Sequence, residues 1–441
     1  MSAFDPIPKS VYQERRRRVA AALGTDVMVL AAAPTRFASR DTEYPYRPDS
    51  DLFWATGLTE PDTVVVLKGD GAGAVETTLF VRPREPQAEL WAGSRMGVEV
   101  AGEWVGADTA VPIGRLAELL PALLDTAHTV HYRLGSGSAP LVQQVLGALE
   151  RGRSRGQRRG TGVRAIVDPG GILDELRLRK DSFEIERIRH AANLTMSAFR
   201  EMMATVTGGM GEWELEAVLE GAFRRGGATG PAYESIVGSG VNACTLHYVQ
   251  NRDVIRSGSL VLVDAGAAWD LYCGDITRTF PVDGRFSPEQ LAVYEVVEAA
   301  RAAAVDQVAP GVAIAEVHEA AGSVLADGLR ELGVLKGSTD QILGSEAFRT
   351  FYPHQTSHWL GLDVHDVGDY AVEGRSRILE PGMVLTVEPG LYFPPRGGAG
   401  TDFDGIGIRI EDDVLVTEQG GENLTAELPT RAADLLELIG H

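Results

Sequence analysis

Three of the nine histidines fall in one short stretch, HQTSHWLGLDVHDVG (354–368): His354, His358 and His365. Imidazole changes charge near neutral pH and is the commonest nitrogen ligand for metals. His354 and His358 stand four apart, a spacing that on a helix presents both rings to one ion, as in zinc peptidases with a His-Glu-x-x-His helix. Here Gln355 follows the first histidine, and WLGLDVHDVG alternates like a strand broken by glycines. The stretch reads as extended chain, with one histidine as a ligand and the others as proton or hydrogen-bond partners. Acids complete the set. Asp264 ends the apolar run LVLVDAG, Asp275 opens DITRTF, Glu388 ends MVLTVEPG, and Glu411 lies in IRIEDDVLV. A carboxylate at the end of a buried strand is costly unless paired or bound to a cation. Singly, each acid reads equally as a cap or an ion-pair partner. Together, four carboxylates and one neutral imidazole could neutralise two divalent cations. Such an oxygen-rich set suits manganese, iron, cobalt or zinc, and two cysteines are too few for a thiolate-rich structural zinc.

These groups need strands and helices to hold them. SLVLVDAG (259–266), MVLTVEPG (383–390) and IGIRIEDDVLVT (406–417) read as strands. SFEIERIRHAANLTMSAFREMM (182–203) has helical spacing, as does EWELEAVLEGAFRRGG (212–227), which ends at Gly226 and Gly227. SPEQLAVYEVVEAARAAAVDQV (287–308) is a third helix, with Ser287 as N-cap and Pro288 at its first position. LVLVDAG and MVLTVEPG each end in an acid and are each followed downstream by another, which hints at two related halves. The region 173–441 is expected to be α+β, with a curved, largely antiparallel sheet.

The first half differs. DVMVLAA (26–32) and TVVVLKG (63–69) read as buried strands, and IGRLAELLPALLDTA (113–127) as a helix, so 1–172 is expected to be a smaller α/β domain. RGRSRGQRRGTG (151–162) reads as an exposed basic loop near the boundary, or as a carrier of an arginine for a neighbouring subunit. The net charge of −21 is confined to the second half: residues 1–172 hold 20 basic and 20 acidic residues, residues 173–441 hold 21 and 42. That balance argues against nucleic-acid binding and suits a site for cations or peptide amino termini. No apolar run is long enough for a membrane span, and MSAFDPIPKSVYQERRRRVAAAL lacks the apolar core of a signal peptide. Cys244 and Cys273 read as thiols in a reducing cytoplasm, with a disulfide between them still open.

The motifs GSGVNACTLHY (238–248), VDAGAAWDLYCGDITRTFP (263–281), HQTSHWLGLDVHDVG (354–368), EPGMVLTVEPGLY (380–392) and GIGIRIEDD (405–413) resemble those of the Xaa-Pro aminopeptidases (aminopeptidase P), metallopeptidases of the pita-bread fold. DTEYPYRPDSDLFWATGLTEPD (41–62) resembles that family's first domain. The resemblance implies a pita-bread catalytic domain over 173–441. It implies Asp264, Asp275, His358, Glu388 and Glu411 as ligands of two divalent ions, manganese first, with zinc, cobalt or iron as alternatives. It implies that a water activated between the ions attacks the carbonyl before proline, with Glu388 also shuttling the proton. His247 and His365 are assigned to the substrate carbonyl and the tetrahedral oxyanion, and Arg409 to holding a ligand carboxylate. His354 and Tyr233 are assigned to the substrate pocket. Asp41 and Trp91 match first-domain residues that approach an active site, often a neighbour's, and otherwise read as a turn acid and a buried core aromatic. A homodimer or homotetramer is implied.

An Xaa-Pro bond has no N–H, and the proline ring fixes the backbone, so a dedicated pocket and a proton donor to the ring nitrogen are required. Three other readings stand beside this one. A prolidase would use the same ligands on dipeptides alone. A methionine aminopeptidase fits less well, because 172 residues precede the catalytic half. A metal-free binding protein on this fold would have lost the ligands.

Overall fold

The computed structural model describes residues 6–125, 127–156, 158, 162–395 and 401–440. The chain forms two compact units, Met1–Arg177 and Leu178–His441.

The first unit is built on a six-stranded mixed sheet. Its order is Thr109–Pro112, Val75–Val81, Val64–Gly69, Val27–Ala31, Thr129–His131, Ala165–Val167. The three central strands are antiparallel and the outer pairings parallel. Val27–Ala31 is buried at every position, because helices cover both faces, and so its sequence is uniformly apolar. Leu116, Leu120, Leu124, Val145 and Ala148 pack on this sheet. One sequence expectation is corrected here. Residues 151–156 are not loop but the last turns of the Ala139–Gly156 helix. Arginine is a good helix former, and Gly152 and Gly156, four apart, are buried where the returning chain at Gly162 passes close by. Residues 157 and 159–161 of that stretch lie outside the described residues.

The second unit is α+β, as expected, and repeats a pattern. Two packed helices, Ser182–Thr205 and Glu212–Arg225, precede the antiparallel strands Ile236–Ser239, Leu260–Ala265 and Ile276–Pro281. Two further packed helices, Pro288–Gln307 and Ile314–Glu331, precede Val384–Val387, Asp412–Thr417 and Gly420–Asn423, also antiparallel. The Ser182–Thr205 helix starts on Asp181, whose carboxylate accepts from the amides of Phe183 and Glu184. Pro288–Gln307 starts on Ser287, which accepts from Gln290. Ile314–Glu331 was not anticipated, although its apolar positions recur at helical spacing.

Two strand readings need correction. The run 406–417 is two strands, Gly407–Arg409 and Asp412–Thr417, which pair with different partners. The break falls at Ile410–Glu411, so that Glu411 leaves the ladder and turns inward. WLGLDVHDVG forms no strand beyond one isolated bridge, Trp359 with Leu385. Its alternation arises from side-chain anchors. The Trp359 amide donates not to a ladder carbonyl but to the Tyr370 hydroxyl at 3.0 Å, and its indole donates to the Gly368 carbonyl at 3.1 Å. Among the described residues no helix is long and apolar enough to cross a membrane. Neither cysteine is in a disulfide.

Candidate metal centre

Leu260–Ala265 and Ile276–Pro281 are joined by a tight return. Trp269 pairs with Tyr272 across Asp270 and Leu271, both at positive φ (50° and 70°), a two-residue turn whose twist matches the strands. Lower in the return the backbone closes on itself: a Cβ at Gly266 would stand 1.6 Å from the Gly274 carbonyl oxygen. This closeness sets Asp264 and Asp275 side by side. In the second half, Glu388 follows Val384–Val387 and Glu411 precedes its partner Asp412–Thr417. The sequence echo is thus a repeated strand pair, with one acid at each junction.

The four acids and His358 converge on one cleft of ≈ 910 Å³. Ligand atoms of Asp275, His358 and Glu411 lie within 4.8 Å of one another. His358 Nε2 is 3.4 Å from Asp275 and 3.7 Å from Glu388. Tyr233 links Asp264 to this group, its hydroxyl lying 2.5 Å from Asp264 and against Asp275 as well. Arg409 donates to Asp264 at 2.5 Å and to the Tyr392 hydroxyl at 2.9 Å. Thr277 donates to Glu411 at 2.6 Å.

These residues fit a cation centre on grounds internal to the molecule. His358 Nδ1 lies 3.1 Å from the Trp359 carbonyl, so that nitrogen carries the proton and the Nε2 lone pair faces the acids. A lone pair aimed at carboxylates needs either a proton or a cation between them. Although burial pulls the His358 pKa down, Asp275 and Glu388 push it up to about 9. Burial pushes Glu388 up to about 8, only partly offset by His358 and Arg409. Burial and the neighbouring acids raise Asp275 and push Glu411 well above the carboxylate range. One phenolic proton on Tyr233 cannot satisfy two carboxylates at once. Bound cations would relieve each of these conditions.

The other histidines differ in kind. His354 Nδ1 lies 2.8 Å from the Gln355 carbonyl and Nε2 lies 2.9 Å from Tyr392, while its Nδ1–Glu388 separation is 3.7 Å. Both nitrogens are thus engaged by the protein, and the ring presents carbon to the cleft. Burial, with Arg409 adding to it, pushes its pKa down to about 3. His365 packs edge-on against His358 at 4.3 Å between ring centres, and both His365 and His247 line the cleft. Burial, followed by His358 and His247, lowers the His365 pKa and keeps it neutral. Tyr233, assigned to the substrate pocket, also touches the acids directly. Asp41 and Trp91 belong to the other unit. Asp41 is exposed in the turn joining Phe37–Ser39 to Thr42–Glu43, whereas Trp91 is 89% exposed, which removes its reading as a core aromatic.

Sequence reasoning missed Tyr392, Thr277 and Asp413. Asp413, wholly buried, accepts the Asp275 amide at 3.1 Å and so fixes the backbone beneath that acid. Its signal was the third acid in IEDD. Nothing in the sequence marked Thr277 or Tyr392.

Residues 186–418 match the model of metallopeptidase family M24, and residues 12–131 match the aminopeptidase P N-terminal domain. The chain is 40% identical to the Xaa-Pro aminopeptidase of Escherichia coli K12, with 98% of both chains covered. It resembles the structure of Pseudomonas aeruginosa aminopeptidase PepP at TM-score 0.94 and 43% identity, covering 99% of each chain. Zn-substituted E. coli aminopeptidase P in complex with product matches at TM-score 0.94 and 40% identity, again over 99% of each chain.

Proposed function

Because the chain belongs to the aminopeptidase P family of M24 metallopeptidases, we propose that it releases the first residue of peptides with proline second. One observation carries this reading: Asp275, Glu388 and Glu411 meet His358 in a single cleft, and among the described residues no lysine or arginine forms an ion pair with any of the three. Asp264, Asp275, His358, Glu388 and Glu411 would hold two divalent ions, manganese first, with zinc, cobalt or iron as alternatives. When bound, such ions supply Lewis acidity that lowers the pKa of water and polarises a carbonyl.

The chain's own residues do the rest. Glu388, held through its amide by the Thr356 carbonyl at 2.8 Å, takes a proton from the attacking water and delivers it to the proline nitrogen. His247 and His365 face the cleft and serve the carbonyl oxygen as charge develops on it. His354 offers its ring carbons to the proline side of the substrate. Arg409 keeps Asp264 oriented. The negative second half attracts the free α-amine of the peptide. Asp41 and the exposed Trp91 belong to the same proposal as contacts given to a neighbouring copy in a homodimer or homotetramer. Operation in the cytoplasm accords with two cysteines outside any disulfide.

The test is mass spectrometry on Gly-Pro, Gly-Pro-Pro and a longer Xaa-Pro peptide with manganese added. Release of the first residue from the two longer peptides is expected. Cleavage of the dipeptide alone would make the protein a prolidase, and trimming of peptides lacking proline at position two would overturn the specificity.

A further inference from the structure

His318 lines the cleft but belongs to neither the acids nor the histidine stretch. It lies on the Ile314–Glu331 helix, and its Nδ1 is 2.8 Å from the Thr356 hydroxyl. The Tyr352 hydroxyl is 2.7 Å from the same Thr356 oxygen. Tyr352 is 1% exposed, and Thr356 is its only hydrogen-bond partner among the described residues. A buried phenol must donate its proton, because leaving the donor unmade costs more than the bond contributes. Tyr352 therefore donates to Thr356, and the single Thr356 proton is left for His318. In the opposite assignment, with His318 donating to Thr356 and Thr356 to Tyr352, the phenolic proton would have no acceptor.

The chain Tyr352 O–H to Thr356 O–H to His318 Nδ1 thus makes Nδ1 an acceptor and puts the ring proton on Nε2. Nε2 has no protein partner among the described residues, and the other edge of the ring is taken by Thr356. We infer that His318 is a substrate-binding residue whose Nε2–H donates a hydrogen bond to an oxygen of the bound peptide, either a backbone carbonyl or its terminal carboxylate. Burial, with Arg349 adding to it, lowers the His318 pKa, which keeps the ring in this neutral form. Thr356 also holds the Glu388 amide, so the donor and the proposed base are set from one residue. The inference rests on the peptidase reading above.

Two variants separate binding from structure. His318→Asn keeps a side-chain oxygen near Nδ1, able to accept from Thr356, and loses the donor in the cleft. His318→Gln extends an amide toward the Nε2 position. With manganese-loaded enzyme and a Gly-Pro-Pro substrate, His318→Asn is expected to raise KM about fivefold, the worth of one neutral hydrogen bond, with kcat, Tm and metal content unchanged. His318→Gln is expected to recover part of that loss. Matching KM rises on Gly-Pro-Pro and its C-terminal amide identify a backbone carbonyl, and a rise confined to the free acid identifies the carboxylate. An unchanged KM in His318→Asn overturns the inference while leaving the peptidase reading intact. A KM rise accompanied by a fall in Tm in both variants also overturns it, in favour of a packing role. Wild-type protein that cleaves no Xaa-Pro peptide removes the peptidase reading and this inference with it.

Discussion

Glu411 and Asp412 are adjacent in the chain and keep opposite electrostatic company. Asp412 is fully buried between Arg278 at 2.8 Å and Arg301 at 2.7 Å, and although burial works against it, the two guanidiniums hold its pKa below the usual carboxylate range. Glu411 is buried among Asp275, Glu388 and Asp264, with the Thr277 hydroxyl as its donor and its pKa pushed far up. Burial is common to both. What separates a structural acid from a candidate ligand is whether the protein itself provides the countercharge.

Opposite mutational signs follow. Asp412→Asn leaves two buried guanidiniums short of a partner and is expected to lower unfolding free energy by about 3–5 kcal/mol. Glu411→Gln is expected to leave the metal-free fold as stable as wild type or more so, while metal content and activity fall together. Urea unfolding with and without chelator, alongside elemental analysis, measures both. Equal destabilisation by the two changes would remove the distinction.

Metal removal should change the way stability responds to pH. Asp275, Glu388, Glu411 and His358 all hold protons more tightly in the folded metal-free chain than in the unfolded one. The stability this provides is complete below their ordinary pKa values and is lost as pH rises through about 8 for Glu388 and about 9 for His358. The Tm of chelated protein should therefore fall from about pH 5 to about pH 9, while reloaded protein falls less, so the gap widens. Calorimetric scans across that range decide it; a gap that narrows with rising pH contradicts the site.

Arg409 acts through Asp264 and Tyr392 and is buried. Arg409→Lys keeps the charge and loses the fork that reaches both oxygens. Activity is expected to drop by about 10- to 100-fold, with weaker metal retention on dialysis. Full activity in this variant would reduce Arg409 to a packing residue.

The three clustered histidines should separate by readout. His358→Ala is expected to lose metal. His365→Ala should retain metal and lower kcat by about 100-fold, the scale of one polar group acting on developing charge. His354→Ala should mainly raise KM, because both ring nitrogens already serve Gln355 and Tyr392. Kinetics paired with metal analysis on the same preparations would show whether any two behave alike.

Part of this site is legible in the sequence, because a carboxylate at the end of a buried strand is costly wherever it occurs. Asp264, Asp275, Glu388 and Glu411 each follow or precede an apolar run, but singly each reads equally as a cap or an ion-pair partner, and the family resemblance joins them into one ligand set. The path of residues 354–368 is not legible, because alternation of apolar and polar residues is the signature of a strand and also of a loop pinned by Trp359 and Tyr370. His318 and Thr356 were invisible for another reason. Their meaning lies in which atom donates to which, and that depends on a partner, Tyr352, whose burial no local pattern discloses. The helical Arg151 and Arg153 show the reverse error, where charge and glycine content masked good helix formers.

The ion pair of Lys180 with Asp366, 2.9 Å long and 1% and 2% exposed, closes the first turn of the second unit onto the histidine stretch. Anyone trimming the protein to its smallest working piece would be tempted to begin at Ser182, where the long helix starts and after which every acid and histidine of the cleft is retained. Such a piece would leave the carboxylate one residue past His365 without its ammonium, and the ground beneath the imidazoles would loosen although none of them had been touched.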